Sequence, residues 1–509
     1  MAQRGKKAVL NTGAALLQEA VAVVCGFILP GLILRSFGSV YNGLTSSITQ
    51  FLSCAVLLRA GIGGATRAAL YKPLADNDKT AINGIMNATR AFMKKIALIL
   101  AIVIIVFSCI YPIVVKEFDW FFTFSLFIII GISTFAESLF GITNLILLQA
   151  DQRLYVASLM RSFVYILGTV VSSVLIITGA GIHMVKLGGA LAFCVYPLFL
   201  NFYVKKKYKL DANVPPNNNA ISQRWDAFWH QVAVFVMNNT DTVILTIFSN
   251  MTIVSVYSVY NLVINGLRKL VLSFTSGLEG ALGNLLVSDS DESVRSNFNL
   301  ICYILFGLAT IINVCAGLLI VPFVKLYTSG VTDAQYEQNA FAVLLISAHF
   351  FNCIRQPYQL IVQAAGHYAQ TKAGAILEPV INITLSIILV IKLGLIGVVI
   401  GTLVSTVIRT IQYALYVSKV LVRGAMADLI KRLIISMVEA LVIIAVSNLI
   451  PFDFSASYLL LLLSGLIILV LSLIVFVIFS LLFQRKESAL FLSKINNIIF
   501  RRKPINYES

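Results

Sequence analysis

Charge is what this sequence has least of. Asp, Glu, Lys and Arg make up only 12% of the 509 residues, against the roughly 25% with which a soluble domain covers its surface. No water-facing shell can be built from so little. Acids are scarcer still, 22 against 38 bases, for a formal net charge of +16. That surplus does not indicate nucleic acid, because Lys and Arg gather at the ends of apolar runs and no DNA- or RNA-binding motif with interleaved aromatics accompanies them. The cysteines, Cys25, Cys54, Cys109, Cys194, Cys302, Cys315 and Cys353, lie inside apolar segments without CxxC spacing. They read as small buried hydrophobes, not disulfides or metal ligands. His230, His349 and His367 are scattered and indicate no metal, and nothing indicates a cofactor beyond a coupling H⁺ or Na⁺. After MAQRGKK there is no short apolar region with a small-residue cleavage site, so the first apolar segment reads as a retained helix. A long outer loop bearing acidic or Arg/His groups, as a membrane glycosyltransferase, polymerase or ligase would display, is missing too. The longest outer stretch runs only from Lys325 to Glu337, and the chain is read as a non-enzyme.

What is abundant is apolar: 59% of the residues, in runs of about 20, the length that crosses a hydrocarbon core of roughly 30 Å. Such runs do not suit the short alternating strands of a membrane barrel. Helices are expected near 8–34, 41–69, 92–115, 120–148, 154–178, 185–204, 226–249, 253–287, 296–323, 338–365, 370–392, 395–420, 430–450 and 457–483. The fold class is an all-α membrane protein of about fourteen transmembrane helices. With the N-terminus inside, the outer segments hold only Arg35, Lys116, Lys186, Lys325 and Lys392. Since cytoplasmic loops keep the positive charge, both termini are placed in the cytoplasm. One helix more or less would scramble this asymmetry, so the number of spans is even.

The polar, Pro- and Asn-rich stretch KKKYKLDANVPPNNNAISQRWDAFW, Lys205 to Trp229, divides the first twelve helices into two sixes. The expected organisation is a six-helix bundle over 1–207, a cytoplasmic linker over 208–225, a second six-helix bundle over 226–423, two additional transmembrane helices over 424–484 and a cytoplasmic tail over 485–509. A weak repeat relates the bundles. LLQADQRLYVASLMRSFVYILGTVVSSVLII from Leu147 resembles LIVQAAGHYAQTKAGAILEPVINITLSIILV from Leu360, with Gln149 opposite Gln363 and Ser172 opposite Ser386. ILRSFGSVYNGL from Ile33 likewise resembles ILTIFSNMTIVSVYSVY from Ile244. Even-numbered halves share one orientation, so two pseudo-symmetric bundles about an axis along the membrane normal are expected, with substrate between them.

A charge at the bilayer centre costs about 2.5–3.5 kcal/mol on insertion scales, so it should face a cavity or a partner. The intramembrane cations are Arg59, Arg161, Arg268, Lys269, Arg355 and Arg409, and the acids Glu19, Glu137, Asp241, Glu279, Glu378 and Glu439. Equal numbers allow internal ion pairing throughout. On the eighth span, Asn261, Asn265, Arg268, Leu272, Thr275 and Glu279 fall within about 40° of one line, a wet helix face. Asn352, Arg355, Gln356, Gln359 and Gln363 form a second stripe, and Ser133, Glu137, Gly141 and Asn144 a third. Hydrogen-bonded helix packing produces any one stripe; several in both halves point to a shared hydrophilic cavity. Arg59 and the Arg268/Lys269 pair hold nearly matching places in the repeats. A guanidinium fork binds phosphate oxygens bidentately, so Arg59, Arg268, Lys269 and Arg355 are the expected phosphate contacts, with structural pairing as the alternative. Asp241, with Asn238 and Asn239 just before it, either binds a driving H⁺ or Na⁺ or neutralises Arg268. Glu19, beside Gln18 and near Asn11, carries the same ambiguity. Glu378 before Pro379 marks a kink. In the tail, FQRKESALFLSKINNIIFRRK sets Leu490, Phe491, Ile495, Ile498 and Ile499 against basic residues, the pattern of an interfacial amphipathic helix.

Taken with the six-plus-six repeat and the extra C-terminal pair, three segments carry a family resemblance: KKAVLNTGAALLQ at the start, FWHQVAVFVMNNTDTVIL on the seventh span and LIVQAAGHYAQTKAGAILEPVIN across the tenth and eleventh. The chain resembles the Wzx-type flippases of polysaccharide (O-antigen and capsule) repeat units, relatives of the MATE exporters and the lipid II flippase in the MOP superfamily. The resemblance implies a flippase of the bacterial cell (inner) membrane. It would carry undecaprenyl-diphosphate-linked oligosaccharide from the cytoplasmic to the outer leaflet by alternating access, for surface polysaccharide biosynthesis. It places the diphosphate at Arg59 and Arg268, with Arg355 beside them, the sugars on the polar stripes and the lipid tail in a groove between helices. The implied partners are the lipid-linked oligosaccharide, membrane lipid, and a polysaccharide polymerase with its chain-length regulator. Two readings stand beside it: a cation-coupled multidrug or small-molecule antiporter of the MATE type, resting on Asp241 and Glu19, and a lipid II flippase. The thirteenth and fourteenth helices argue against an ordinary twelve-helix drug exporter.

Overall fold

The computed structural model describes residues 2–56, 62–218, 239–275, 282, 290–449 and 457–500, nearly all of them helical and none in a β-strand. Helix is what a lipid-embedded backbone requires, since it satisfies every N–H and C=O within one segment. In the first half, α1 (Ala2–Phe37) and α2 (Ser39–Val56) are separated by Gly38, at φ +89°. There follow α3 (Ile62–Asp76), α4 (Lys79–Val114) and α5 (Trp120–Ala136), which runs through a π-helical turn, Glu137–Gly141, into α6 (Ile142–Ala150). Helices α7 (Leu154–Ile177) and α8 (Ile182–Tyr208) complete the half. The second half comprises α9 (239–248), α10 (Met251–Thr275), α11 (Asp291–Tyr327), α12 (Asn339–Ala364), α13 (Tyr368–Leu393) and α14 (Leu395–Val420). Then come α15 (Ala425–Ser447), α16 (Tyr458–Phe483) and the tail helix α17 (Arg485–Phe500).

This is an all-α, multi-pass membrane protein with about fourteen transmembrane helices. Nine described helices are long and apolar enough to cross a membrane by length and composition alone. Helices α2, α10, α12 and α15 are more polar, because they carry Asn42 and Gln50, Asn261 and Arg268, Asn352 and Arg355, and Arg432 and Glu439. Apolar-run counting places the span 154–178 within a residue of α7, but it starts α4 at 92, well short of Lys79. The true start is set by Asp78, whose carboxylate accepts from the Ala81 N–H at 2.9 Å, so the helix runs beyond its apolar part to its cap. The expected span 41–69 is described as α2 and α3, with 57–61 outside the described residues.

The halves repeat each other in atomic detail. Between α6 and α7 the backbone N–H groups of Asp151, Gln152 and Arg153 donate to the carbonyls of Leu147, Gln149 and Leu148 at 2.9, 3.2 and 2.7 Å. Between α12 and α13 those of Ala365, Gly366 and His367 donate to Ile361, Gln363 and Val362 at 3.0, 2.9 and 3.0 Å. Gln152 and Gly366, at the same place in these turns, both take positive φ, +56° and +70°. Farther along, the Ser172 hydroxyl donates to the Val185 carbonyl at 3.4 Å and that of Ser386 to Val398 at 3.1 Å. Each serine lies against a glycine of the next helix, Gly189 or Gly401, where a Cβ would crowd its Oγ. Small residues at such crossings let membrane helices approach closely.

The chain packs as two compact units, Met1–Ser258 with Gly330–Ala334, and Val259–Ser329 with Gln335–Ser509. The core of the first is built on Leu70, Met86, Leu147, Tyr196 and Leu200. The second is built on Phe298, Ile354, Tyr358, Ile361 and Val417. There α15 and α16 fasten to α11 through Val314, Ile443 and Val475, and the Tyr303 hydroxyl donates to Ser480 Oγ at 3.1 Å.

Candidate functional site

In the first unit, intramembrane charge is concentrated where α5 gives way to the π-helical turn. Glu137 opens that turn, and its carboxylate lies 2.5 Å from Arg161 Nη2 on α7. The Arg161 guanidinium sits over the Tyr196 ring of α8, 4.5 Å from its centroid. The extra residue of a π turn re-aims side chains and recurs at functional sites; here Gly141 closes the turn, its Cβ position 3.3 Å from both Glu137 Cγ and Pro197 Cβ. Asn144 is buried one turn on, its amide N–H donating to Phe140 O at 2.8 Å. Among the described residues, Arg161 Nε, Thr143 Oγ1 and Asn144 Oδ1 are buried with no protein hydrogen-bond partner.

Elsewhere in this unit, buried Asp241 on α9 accepts from the Tyr257 hydroxyl at 3.1 Å. Helices α2, α9 and α10 are joined by polar contacts: Ser47 with Thr246 at 2.6 Å, Asn42 Nδ2 to Ser255 Oγ at 2.8 Å, and Gln50 to Asn239. A Cβ on Gly43 would overlap the Met251 carbonyl. Two carboxylates from loops cap these helices. Asp333 caps α2, accepting from the Ser39 N–H at 2.7 Å and its hydroxyl at 2.6 Å, and Glu117 caps α10, accepting from the Met251 N–H at 2.8 Å. Gln18 is half-buried and Glu19 exposed on α1.

In the second unit, Glu378 on α13 is shared by two arginines: Arg355 of α12, bonded to its Oε1, and Arg409 of α14, 3.8 Å from its Oε2. Arg409 stacks on Tyr413 at 4.0 Å and donates to Gln412 Oε1 at 2.7 Å. The acid before Pro379 therefore serves as the counter-ion of a buried cation pair. On α10, Asn261, Asn265 and Arg268 are half-buried, Lys269 is exposed and Thr275 buried. On α12, Asn352 and Gln359 are half-buried, and Gln356 donates to Asn352 Oδ1 at 3.4 Å. Arg59, Asn238 and Glu279 lie outside the described residues.

A third polar centre, unsuspected in the sequence, sits at the α6–α7 turn. Asp151 binds Lys7 Nζ at 3.4 Å, Arg153 Nε at 2.6 Å and the Tyr208 hydroxyl at 2.5 Å. Partial burial works against the charge on Arg153, but the Asp151 carboxylate outweighs it and holds the guanidinium above its ordinary value. Asn11 completes the clamp, donating to Gln152 O at 3.0 Å and accepting from the Tyr155 N–H at 2.8 Å. The signal was present in LLQADQRLY, where an acid, a turn and a base meet inside the repeat. It passed unread because Asp151 lies outside any apolar run.

The geometry invites comparison with known structures. The chain aligns with the lipid II flippase MurJ in an inward closed conformation, TM-score 0.71 at 15% identity, over 94% of this chain and 99% of that one. The two share a fold. An inward-facing multidrug resistance MATE family transporter of the MOP superfamily gives 0.61 at 15% identity, over 81% of this chain and 98% of its own. The Vibrio cholerae MATE transporter VcmN gives 0.57 at 14% identity, over 83% and 98%. No protein-family model matches the sequence, and no curated protein does.

Proposed function

We propose that this protein is a flippase of the bacterial inner membrane, both termini cytoplasmic, that moves undecaprenyl-diphosphate-linked oligosaccharide repeat units to the outer leaflet for surface polysaccharide biosynthesis. The observation that carries the proposal is the extent of the fold match. The two MATE structures are themselves covered almost whole, yet leave about a fifth of this chain unmatched, whereas the lipid II flippase MurJ leaves about a twentieth. Charge agrees with this, since Arg268 and Lys269 occupy consecutive positions on α10, which also carries Asn261 and Asn265. A diphosphate is the part of such a substrate that needs cations.

The deciding assay uses purified protein in liposomes with undecaprenyl-diphosphate oligosaccharide and an impermeant glycosidase outside. Wild type should expose the glycan to the enzyme, and Arg268→Ala and Arg59→Ala should not, at normal protein level. Transport of organic cations without glycan exposure would replace this reading with that of a MATE-type antiporter. The likeness to MurJ supports a second reading, a lipid II flippase. Rescue of a strain lacking its own lipid II flippase would select it, and restored surface polysaccharide in a strain lacking its repeat-unit flippase would select the first.

A further inference from the structure

At the end of the first unit that carries its basic loops, a cleft of about 260 Å³ opens between the end of α3, the start of α4, the α6–α7 turn and the end of α8. Its charged lining is three cations, Lys79, Arg153 and Lys207, against one acid, Asp151. That acid is already engaged by Lys7, Arg153 and Tyr208. Lys79 and Lys207 form no ion pair among the described residues and are exposed, so two unneutralised ammonium groups face one recess. The walls are fixed. The Asp211 N–H donates to Asn83 Oδ1 at 3.2 Å, Asn87 Nδ2 donates to the Asp211 and Val214 carbonyls at 3.0 and 2.9 Å, and the Asn217 N–H donates to Gly84 O at 3.0 Å. The segment after α8 is thereby strapped to α4. Leu74, Ile82 and Leu210 supply an apolar side to the same cleft.

We infer that this cleft binds the phosphate of an anionic membrane phospholipid, with Lys79, Lys207 and Arg153 around the headgroup and Leu74, Ile82 and Leu210 against its glycerol and first acyl carbons. Basic pockets at the cytoplasmic ends of transmembrane helices take such headgroups. The volume lies below the roughly 300 Å³ at which pockets for drug-sized molecules begin, which fits a headgroup and not a whole glycolipid. The apolar wall separates a lipid from free phosphate, which needs none. The inference rests on the proposed orientation for its choice of leaflet only. The binding measurement requires neither that orientation nor transport, so each can fail alone.

The full-length protein in phosphatidylcholine nanodiscs is titrated with short-chain phosphatidylglycerol, with short-chain phosphatidylcholine and with inorganic phosphate. Phosphatidylglycerol should bind, the other two should not compete at equal concentration, and Lys79→Gln with Lys207→Gln should weaken binding about 30-fold. Lys79→Arg with Lys207→Arg should retain it, and size-exclusion profiles compare the folding of all three proteins. Equal binding by the wild type and the glutamine pair overturns the site, and phosphate binding without lipid binding overturns the ligand.

Discussion

Asp333 holds Ser39 by two hydrogen bonds at once, from the backbone N–H at 2.7 Å and from the hydroxyl at 2.6 Å, at the residue where α2 begins. Its counterpart is Glu117, which accepts from the N–H of Met251, where α10 begins. The loop after α4 thus caps the second helix of the other repeat, and the loop after α11 caps α2 in return. Both carboxylates lie at helix N-termini, where orphan N–H groups and the helix dipole favour negative charge.

Removing these caps should cost stability in proportion to what each satisfies. Asp333→Ala should lower folding stability by about 1–2 kcal/mol and Glu117→Ala by about 1 kcal/mol. Thermal unfolding of the purified protein in detergent measures this. Asp333→Asn, which keeps one acceptor oxygen and loses the other together with the charge, should fall between wild type and Asp333→Ala. Equal stability of all three proteins would show that the cap contributes nothing.

Close approach of α2 to α10 depends on Gly43, because a Cβ there would overlap the Met251 carbonyl, which is backbone and cannot rotate away. Gly43→Ala should therefore greatly reduce the yield of folded protein. Gly13→Ala on α1, where a Cβ would meet nothing within 4 Å, should be neutral or slightly stabilising, since Ala outranks Gly in helices. The contrast in fluorescence-monitored size-exclusion profiles checks the packing at one residue's resolution.

The spans and the repeat were legible because both are written in one-dimensional pattern: apolar length for α7, and a shared register from Gln149 and Gln363 through Ser172 and Ser386. The partners of charged groups were not. Glu137 and Arg161 stand 24 positions apart, and nothing local says that a π turn brings them to 2.5 Å or that Tyr196 of α8 lies beneath the guanidinium. Ser39 and Asp333 are 294 residues apart, a pairing that only the folded chain reveals. Helix ends misjudged by apolar counting, as at Lys79, were set by caps such as Asp78, whose signature is a single residue.

The Glu137–Arg161 pair gives a test of what intramembrane charge does in the first unit. The pair is half-buried, so removing one partner leaves a partly desolvated charge and costs about 2–3 kcal/mol, between the values for exposed and fully buried pairs. Glu137→Gln and Arg161→Met should each lower thermal stability sharply, and the double variant should be more stable than either single one. Such coupling in a double-mutant cycle identifies a structural pair. Additive losses would mean that each side chain acts separately.

Arg355 was expected to touch phosphate, yet it is bonded to Glu378, which Arg409 approaches from the other side. A cation held in that way spends its charge on a carboxylate; Arg268 lies half-buried on α10, the helix that also carries Asn261 and Asn265. The two arginines should therefore fail differently. Arg268→Ala should abolish glycan translocation by protein that still reaches the membrane. Arg355→Ala should lower stability and protein level through the loss of its bond to Glu378, and adding Glu378→Gln should lower both further, because Arg409 is then left without its carboxylate. If Arg355→Ala is instead fully stable and inactive, the guanidinium serves the substrate, and the diphosphate site extends to α12.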